Sequence, residues 1–331
     1  MAIFANANCT YAPAEGASDA GVAGAGVLLS FMMTAFVGIS LSASIIFSER
    51  GHRTSPSTIR RKLLNGYSDQ QLITGIGIQS VGLAKINTML PYHFFLIWML
   101  GLMSTATHNA TLLALVRDFR RDWVLRWLRQ FLMFVNLALS CICGVFILRA
   151  VTEGLTRTTL PIACALQDGV EGDEEDGGEN VGLAFAGTIA VIAGNCVVFF
   201  FATWYLHARS QRFYKIVQMV GLVVMFGIAV GASVRVGLLS QAFGTPSVPL
   251  ADEGEKEWSF GQLLSLLMLL LPLVSVVEIS RGDVKVAPPV ADEKGGSIFE
   301  GAQELGNTVT SGRESFQPNP FFGSQTNLFK R

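Results

Sequence analysis

The chain has 331 residues, half of them hydrophobic and only 15% charged, with a mean hydropathy of +0.45; a soluble domain carries about 25% charged residues. The net charge of −1 offers no basic excess for a nucleic-acid partner. The opening stretch Met1–Asp19 has no basic start and contains Glu15 and Asp19, so it reads as a retained tail and not as a cleaved leader.

Seven apolar runs follow, each near the length of roughly 20 residues that crosses a bilayer as a helix. They are Gly24–Phe47, Gln71–Leu90, Tyr92–Val116, Phe131–Val151, Val181–Tyr205, Val217–Leu239 and Ser259–Ser280. The second is the most polar, with Gln79, Lys85 and Asn87, and Ser68-Asp69-Gln70-Gln71 before it predicts a capping box at its start. Pro91 sets a tight turn between the second and third runs. Between the third and fourth, Asp118–Gln130 spaces Phe119, Trp123 and Trp127 four apart among arginines, which predicts a segment lying along the inner leaflet.

Charge sidedness orients the runs. Arg50, Arg53, Arg60, Arg61 and Lys62 lie in the first connection, Arg117, Arg120, Arg121, Arg126 and Arg129 in the third, and Arg209, Arg212 and Lys215 in the fifth. The tail adds Arg281, Lys285, Lys294, Arg313, Lys330 and Arg331, while the other side holds only Lys85, Arg149, Arg157, Arg235 and Lys256. The positive-inside rule then predicts an all-α polytopic transmembrane bundle of seven helices, N-terminus outside and C-terminus inside. Its parts are a lumenal or extracellular tail (1–23), the transmembrane domain (24–280) and a cytosolic tail (281–331) whose composition predicts disorder.

The outer side is acidic: Asp168 to Glu179 reads as a solvated loop, without the carboxylate order of an EF-hand. Asn8-Cys9-Thr10 is a glycosylation sequon, and Cys9 and Cys164 are the cysteines on this side, where a disulfide persists. Cys141, Cys143 and Cys196 fall inside spans and read as small apolar fillers. Stripes of small residues predict packing faces: Ser30-Thr34-Gly38-Ser42, Gly101-Thr105-Asn109, Asn136-Ser140-Gly144, Ala186-Ala190-Gly194 and Gly227-Gly231.

Intramembrane polar residues are costly and mark function or internal bonding. Lys85, His93, Arg149 and Arg235 lie toward outer helix ends, where snorkelling competes with a basic vestibule as the explanation. His108 lies deeper, with Ser104 and Asn109 near it, and a ligand or proton role competes with a hydrogen-bonded structural histidine. No Asp or Glu stands mid-span, the last span has no lysine for a Schiff base, and the four histidines have no metal spacing, so neither a metal nor another cofactor is expected. In the tail, Asn319-Pro320-Phe321 has the form of a ligand for an EH-domain adaptor in the cytosol.

One pattern reaches further. Ser68, Asp69, Gln71, Leu72, Thr74 and Gly75, then Tyr92-His93, then Ser104, Thr107 and His108, then Arg129, resemble the common pattern of a large group of multi-span membrane proteins of filamentous fungi. Ile73, Met99 and Leu100 depart from it. The resemblance implies a fungal integral membrane protein and carries over no reaction. If there is a polar intramembrane site, Tyr92, His93, Ser104, His108 and Asn109 compose it. The leading expectation is a receptor-like, sensory or scaffold protein without catalysis, in the plasma membrane or a secretory endomembrane. The alternative is a membrane enzyme or transporter for a small apolar metabolite; the sequence identifies no ligand.

Overall fold

The computed structural model describes residues 7–50, 58–119, 123–167, 178–207 and 213–281. The chain divides into two units after Val290, and all of these residues belong to the first. In chain order the helices are α1 (Ala20–Ala23), α2 (Ala25–Arg50), α3 (Thr58–Ala84), α4 (Pro91–Ala114), α5 (Val116–Phe119), α6 (Trp123–Thr152), α7 (Gly178–His207), α8 (Tyr214–Leu239), α9 (Phe260–Leu267) and α10 (Leu271–Ser280). Short 3-10 turns occupy Leu155–Arg157, Ile162–Leu166 and Met268–Leu270. Among the described residues there is no strand, only one isolated bridge between Gly16 and Leu250.

Five segments are long and apolar enough to cross a membrane: Ala20–Glu49, Arg126–Thr152, Gly182–His207, Tyr214–Leu239 and Phe260–Val277. The protein is therefore a multi-pass membrane protein. The other two long helices, α3 and α4, are more polar, and the packing explains why. Every residue of α4 except Phe95 is buried, because α2, α3, α6, α7 and α8 surround it. A central helix shielded on all sides meets protein and not hydrocarbon, so Ser104, Thr105, Thr107, His108, Asn109 and Thr111 can stand on it. The outer helices show the opposite pattern. Leu183, Phe200 and Trp204 on α7, and Phe260, Leu267 and Val274 on the last helical segment, are exposed, as lipid-facing side chains must be.

Small residues set the close approaches. In the antiparallel α3–α4 seam Gly82 faces Ile97, Gln79 faces Gly101 and Gly75 faces Ser104. Gly38 of α2 meets Thr107, Gly221 of α8 meets Leu113, and Gly144 of α6 receives Ile192 of α7. Two predicted stripes point elsewhere. Gly227 and Gly231 have no atom within 4 Å of a would-be Cβ, because α8 reaches α4 through Gly221 on another face. Ala186 and Ala190 are exposed as well, although Gly194 below them touches Val224 and Ile228.

Three predicted boundaries are corrected. α3 does not begin at a capping box; it starts at Thr58 and runs unbroken through Ser68, whose buried hydroxyl finds no partner. Burial of Leu64 and Tyr67, and the approach of Pro272 onto Gly66, hold those earlier turns helical. From Trp123 onward the predicted inner-leaflet segment is not a separate element but the start of the continuous α6. The last run is interrupted at Met268–Leu270, where Pro272 lacks the N–H that would reach back along the helix. The Leu271 N–H bonds Met268 O in a tighter turn, and the Tyr67 hydroxyl donates to Leu269 O at 3.2 Å.

Residues 7–23 are also less of a tail than their composition predicts. Cys9 and Cys164 are joined as a disulfide, and the buried Ile162–Ala165 turn bonds back to Met89 and Ile86 through its amides. Gly16 pairs with Pro249 and Ala251, Thr159 donates to Pro13 O, and Lys85 meets Asp19 at 2.8 Å. The N-terminal segment and residues 153–167 and 240–259 thus close one end of the bundle. The acidic residues 168–177 lie outside the described set, as does Asn319-Pro320-Phe321.

Candidate functional site

The five predicted site residues do not form one site. His93 and His108 are separated by about 22 Å of α4 at 1.5 Å per residue. The structure gives each group its own set of partners.

At the disulfide end, Tyr92 and His93 open α4 just after Pro91, and both turn to Glu255 of the 240–259 segment. His93 Nε2 lies 2.6 Å from Glu255 Oε1, and the Tyr92 hydroxyl donates to Glu255 Oε2 at 2.9 Å. With Glu255 ionised, the imidazole hydrogen sits on Nε2. The Tyr92 oxygen in turn accepts the Gln241 N–H at 2.7 Å, and the two rings lie 4.8 Å apart. Glu255 is fully buried (0% exposed) and His93 nearly so (3%), so the carboxylate depends entirely on these donors. The same segment and α9 after it are fastened to α2: Ala25 N–H donates to Glu255 O at 3.1 Å, and Gly26 N–H to Gln262 Oε1 of α9 at 3.1 Å. This is a clasp, closed to solvent, between a connecting segment and the central helix.

Asp252 stands on the rim of that segment. A hydrogen bond from Ser18 and one from the Gly254 N–H, 3.1 Å away, hold its carboxyl below the usual carboxylate range. A depressed carboxyl stabilises the fold above the ordinary Asp value of about 3.9 and loses that contribution as pH falls through the folded value. In an NMR titration the Gly254 amide signal should follow Asp252 with a midpoint below that ordinary value. A midpoint at or above it would rule the anchor out.

The second group lies in the middle of the bundle, where α3, α4 and α6 meet. Gln79 Nε2 donates to Asn136 Oδ1 at 2.8 Å and to Gly75 O at 2.9 Å. Asn136 Nδ2 reaches Ser104 Oγ at 3.1 Å and His108 Nδ1 at 3.4 Å, and the Ser104 hydroxyl donates to Gln71 O at 2.7 Å. As Nδ1 accepts, the ring hydrogen of His108 sits on Nε2, which has no protein partner. Both amide atoms of Asn109, Gln79 Oε1 and Gln71 Oε1 are likewise buried without a partner. The cluster is neutral and rich in amides. It can hold a polar group by hydrogen bonds, but it offers no carboxylate for acid–base work. Among the described residues no three His, Cys, Asp or Glu side chains converge as metal ligands. Asn136 is the hub, so Asn136→Leu should destabilise the protein by about 1–3 kcal/mol in denaturant titration, since Gln79, Ser104 and His108 each lose a buried bond to it and His108 Nδ1 is left with none.

The opposite end is tied by charge. Arg129 of α6 donates to Asp69 at 2.5 Å and to Asn65 at 3.2 Å, both on α3, and covers the Phe119 ring at 5.4 Å. Arg61 bridges Asp118 at 2.5 Å and Glu49 at 3.5 Å. Several residues of α3 and α4 fall on these junctions: Asp69 on Arg129, Gly75 and Gln71 on Ser104, and Thr107 against Gly38.

Sequence reasoning missed Glu255 and Gln241, and it read Asn136 only as part of a packing stripe. Glu255 stands among Glu253, Lys256 and Glu257 in what looks like an ordinary solvated turn, and no periodicity separates it from them. No family model, no curated protein and no solved structure matches this chain.

Proposed function

We propose that the chain is a receptor-like or sensory membrane protein, crossing the bilayer seven times with its disulfide end outside and its arginine-rich end in the cytosol. The observation that carries this reading is the buried Glu255 clasp on α4. An event at the 240–259 segment would act directly on the central helix. The same helix carries Ser104 and His108, which bond α6 through Asn136; α6 in turn carries Arg129, bonded to Asp69. The rigid helices α4 and α6 thus join three separate bonded clusters, from the Glu255 end to the Arg129 end. The orientation rests on the sidedness of the basic residues, and the seventh crossing on counting α3 and α4 as shielded spans.

The resemblance to the fungal group supports a fungal plasma-membrane or endomembrane protein. In this orientation Asn8 is glycosylated: Asn8 and Thr10 are both exposed, and the Thr10 hydroxyl donates to Asn8 Oδ1 at 2.9 Å. The cytosolic partner is an adaptor that takes Asn319-Pro320-Phe321. The unpartnered His108 Nε2 and Asn109 amide favour a second reading, an enzyme or transporter for a small apolar metabolite with one polar group.

Two experiments decide. Tags at the two chain ends, probed in sealed vesicles, should be accessible from opposite faces; the same face for both defeats the seven-crossing reading. Untargeted metabolite profiling of a deletion strain should leave the metabolite pattern unchanged while growth responses alter. A compound lost or accumulated, and reproduced by His108→Ala, selects the second reading instead.

A further inference from the structure

The α6–α7 seam carries two free cysteines that face each other. Cys141 Sγ and Cys196 Sγ are 3.6 Å apart, close enough for a hydrogen bond in which either thiol donates. The next layer of the same seam is Ile192 against Gly144, where an added methyl would lie 2.5 Å from Ile192 Cδ1. Glycine there brings the two helices together, and the thiols occupy the adjoining layer of that close approach. Both residues are partly exposed, and Ile142, Val145 and Val197 beside them are exposed apolar side chains. Each cysteine lies well inside an apolar segment fit to span a membrane, Arg126–Thr152 and Gly182–His207. The thiols are thus open to the hydrocarbon and not to water. Cys143, two residues from Cys141, is buried and alone.

We propose that Cys141 and Cys196 form a modification site, a dithiol oxidised to an interhelical disulfide by a lipid-soluble hydroperoxide. One sulfur attacks the terminal oxygen of the peroxide, the O–O bond breaks, and a sulfenic acid and the lipid alcohol form, the thiol proton passing to the alcohol. The second sulfur then displaces the sulfenic oxygen, which leaves as water with the remaining thiol proton, and the S–S bond closes. The peroxide gains two electrons and the cysteine pair loses two. A peroxide dissolved in the bilayer reaches the site, whereas a charged aqueous oxidant does not. The product fastens α6, which carries Asn136 and Arg129, to α7. This inference does not depend on the receptor-like reading.

The test uses the full chain in phospholipid vesicles treated with cumene hydroperoxide, then denatured and alkylated. Untreated protein should take up three alkyl groups, on Cys141, Cys143 and Cys196, and treated protein one. A peptide linking Cys141 to Cys196, lighter by the two thiol hydrogens, should appear by mass spectrometry. Cys143→Ser should still form the link, and Cys196→Ser should not. Three alkylated thiols after treatment would overturn the proposal, as would a link that includes Cys143 or one that Cys143→Ser abolishes.

Discussion

Glu255→Ala is expected to cost about 1–3 kcal/mol of stability for each of the two buried donors it leaves without an acceptor. The carboxylate is fully buried, and its two oxygens take one bond each from His93 and Tyr92. Alanine leaves an imidazole and a phenol facing each other in a sealed space with no acceptor between them. Glu255→Gln should cost less, because an amide oxygen still accepts from one of the two donors. Glu255→Leu combined with His93→Leu should cost less than the two single changes together, since it removes both halves of the pair. Denaturant titration in detergent, followed by tryptophan fluorescence, measures all of these. A Glu255→Ala protein within about 0.5 kcal/mol of the parent, the range of an ordinary surface substitution, would mean that the clasp contributes nothing.

The second large effect pairs two glycines on one helix. Gly75→Val should destabilise by about 1–3 kcal/mol or more through overpacking. A Cβ at Gly75 would overlap the Ser104 hydroxyl, with Ser104 Cβ at 2.7 Å and Asn136 Oδ1 at 3.0 Å. None of these atoms can retreat cheaply, because Ser104 and Asn136 are held in the mid-bundle network. Gly77, two residues on, is exposed and has nothing within 4 Å of its would-be Cβ. Gly77→Ala should therefore gain about 0.5–1 kcal/mol, the ordinary benefit of alanine over glycine within a helix. Opposite signs at the two positions in the same unfolding assay are the expected result. A neutral Gly75→Val would show that α3 and α4 are not in close contact there.

The long helices were legible in the sequence because hydrocarbon leaves the backbone no partner except itself, so each apolar run must close its own hydrogen bonds. That constraint is local, and composition records it. It reports less well where a helix is protected: α4 is the most buried element of the bundle, yet its serines, threonines, His108 and Asn109 lower its apolar character. Helix ends were legible only in part. Pro91 starts α4 as its chemistry requires, but Ser68 is no cap, because Leu64, Tyr67 and Gly66 find partners that keep the preceding turns helical.

What the sequence by itself determined is the membrane class, the order of the long helices along the chain, and which residues are chemically unusual for their surroundings. Tertiary structure alone decided how those residues are shared out. Tyr92 and His93 bond a glutamate more than 160 positions away, while Ser104 and His108 bond an asparagine on α6. Those pairings depend on which helix faces stand a few ångströms apart, a property of distant segments brought together that no single stretch of chain encodes. The same holds for the glycines: Gly75 and Gly227 are alike in sequence, and only the neighbouring helix makes one a tight contact and leaves the other facing outward.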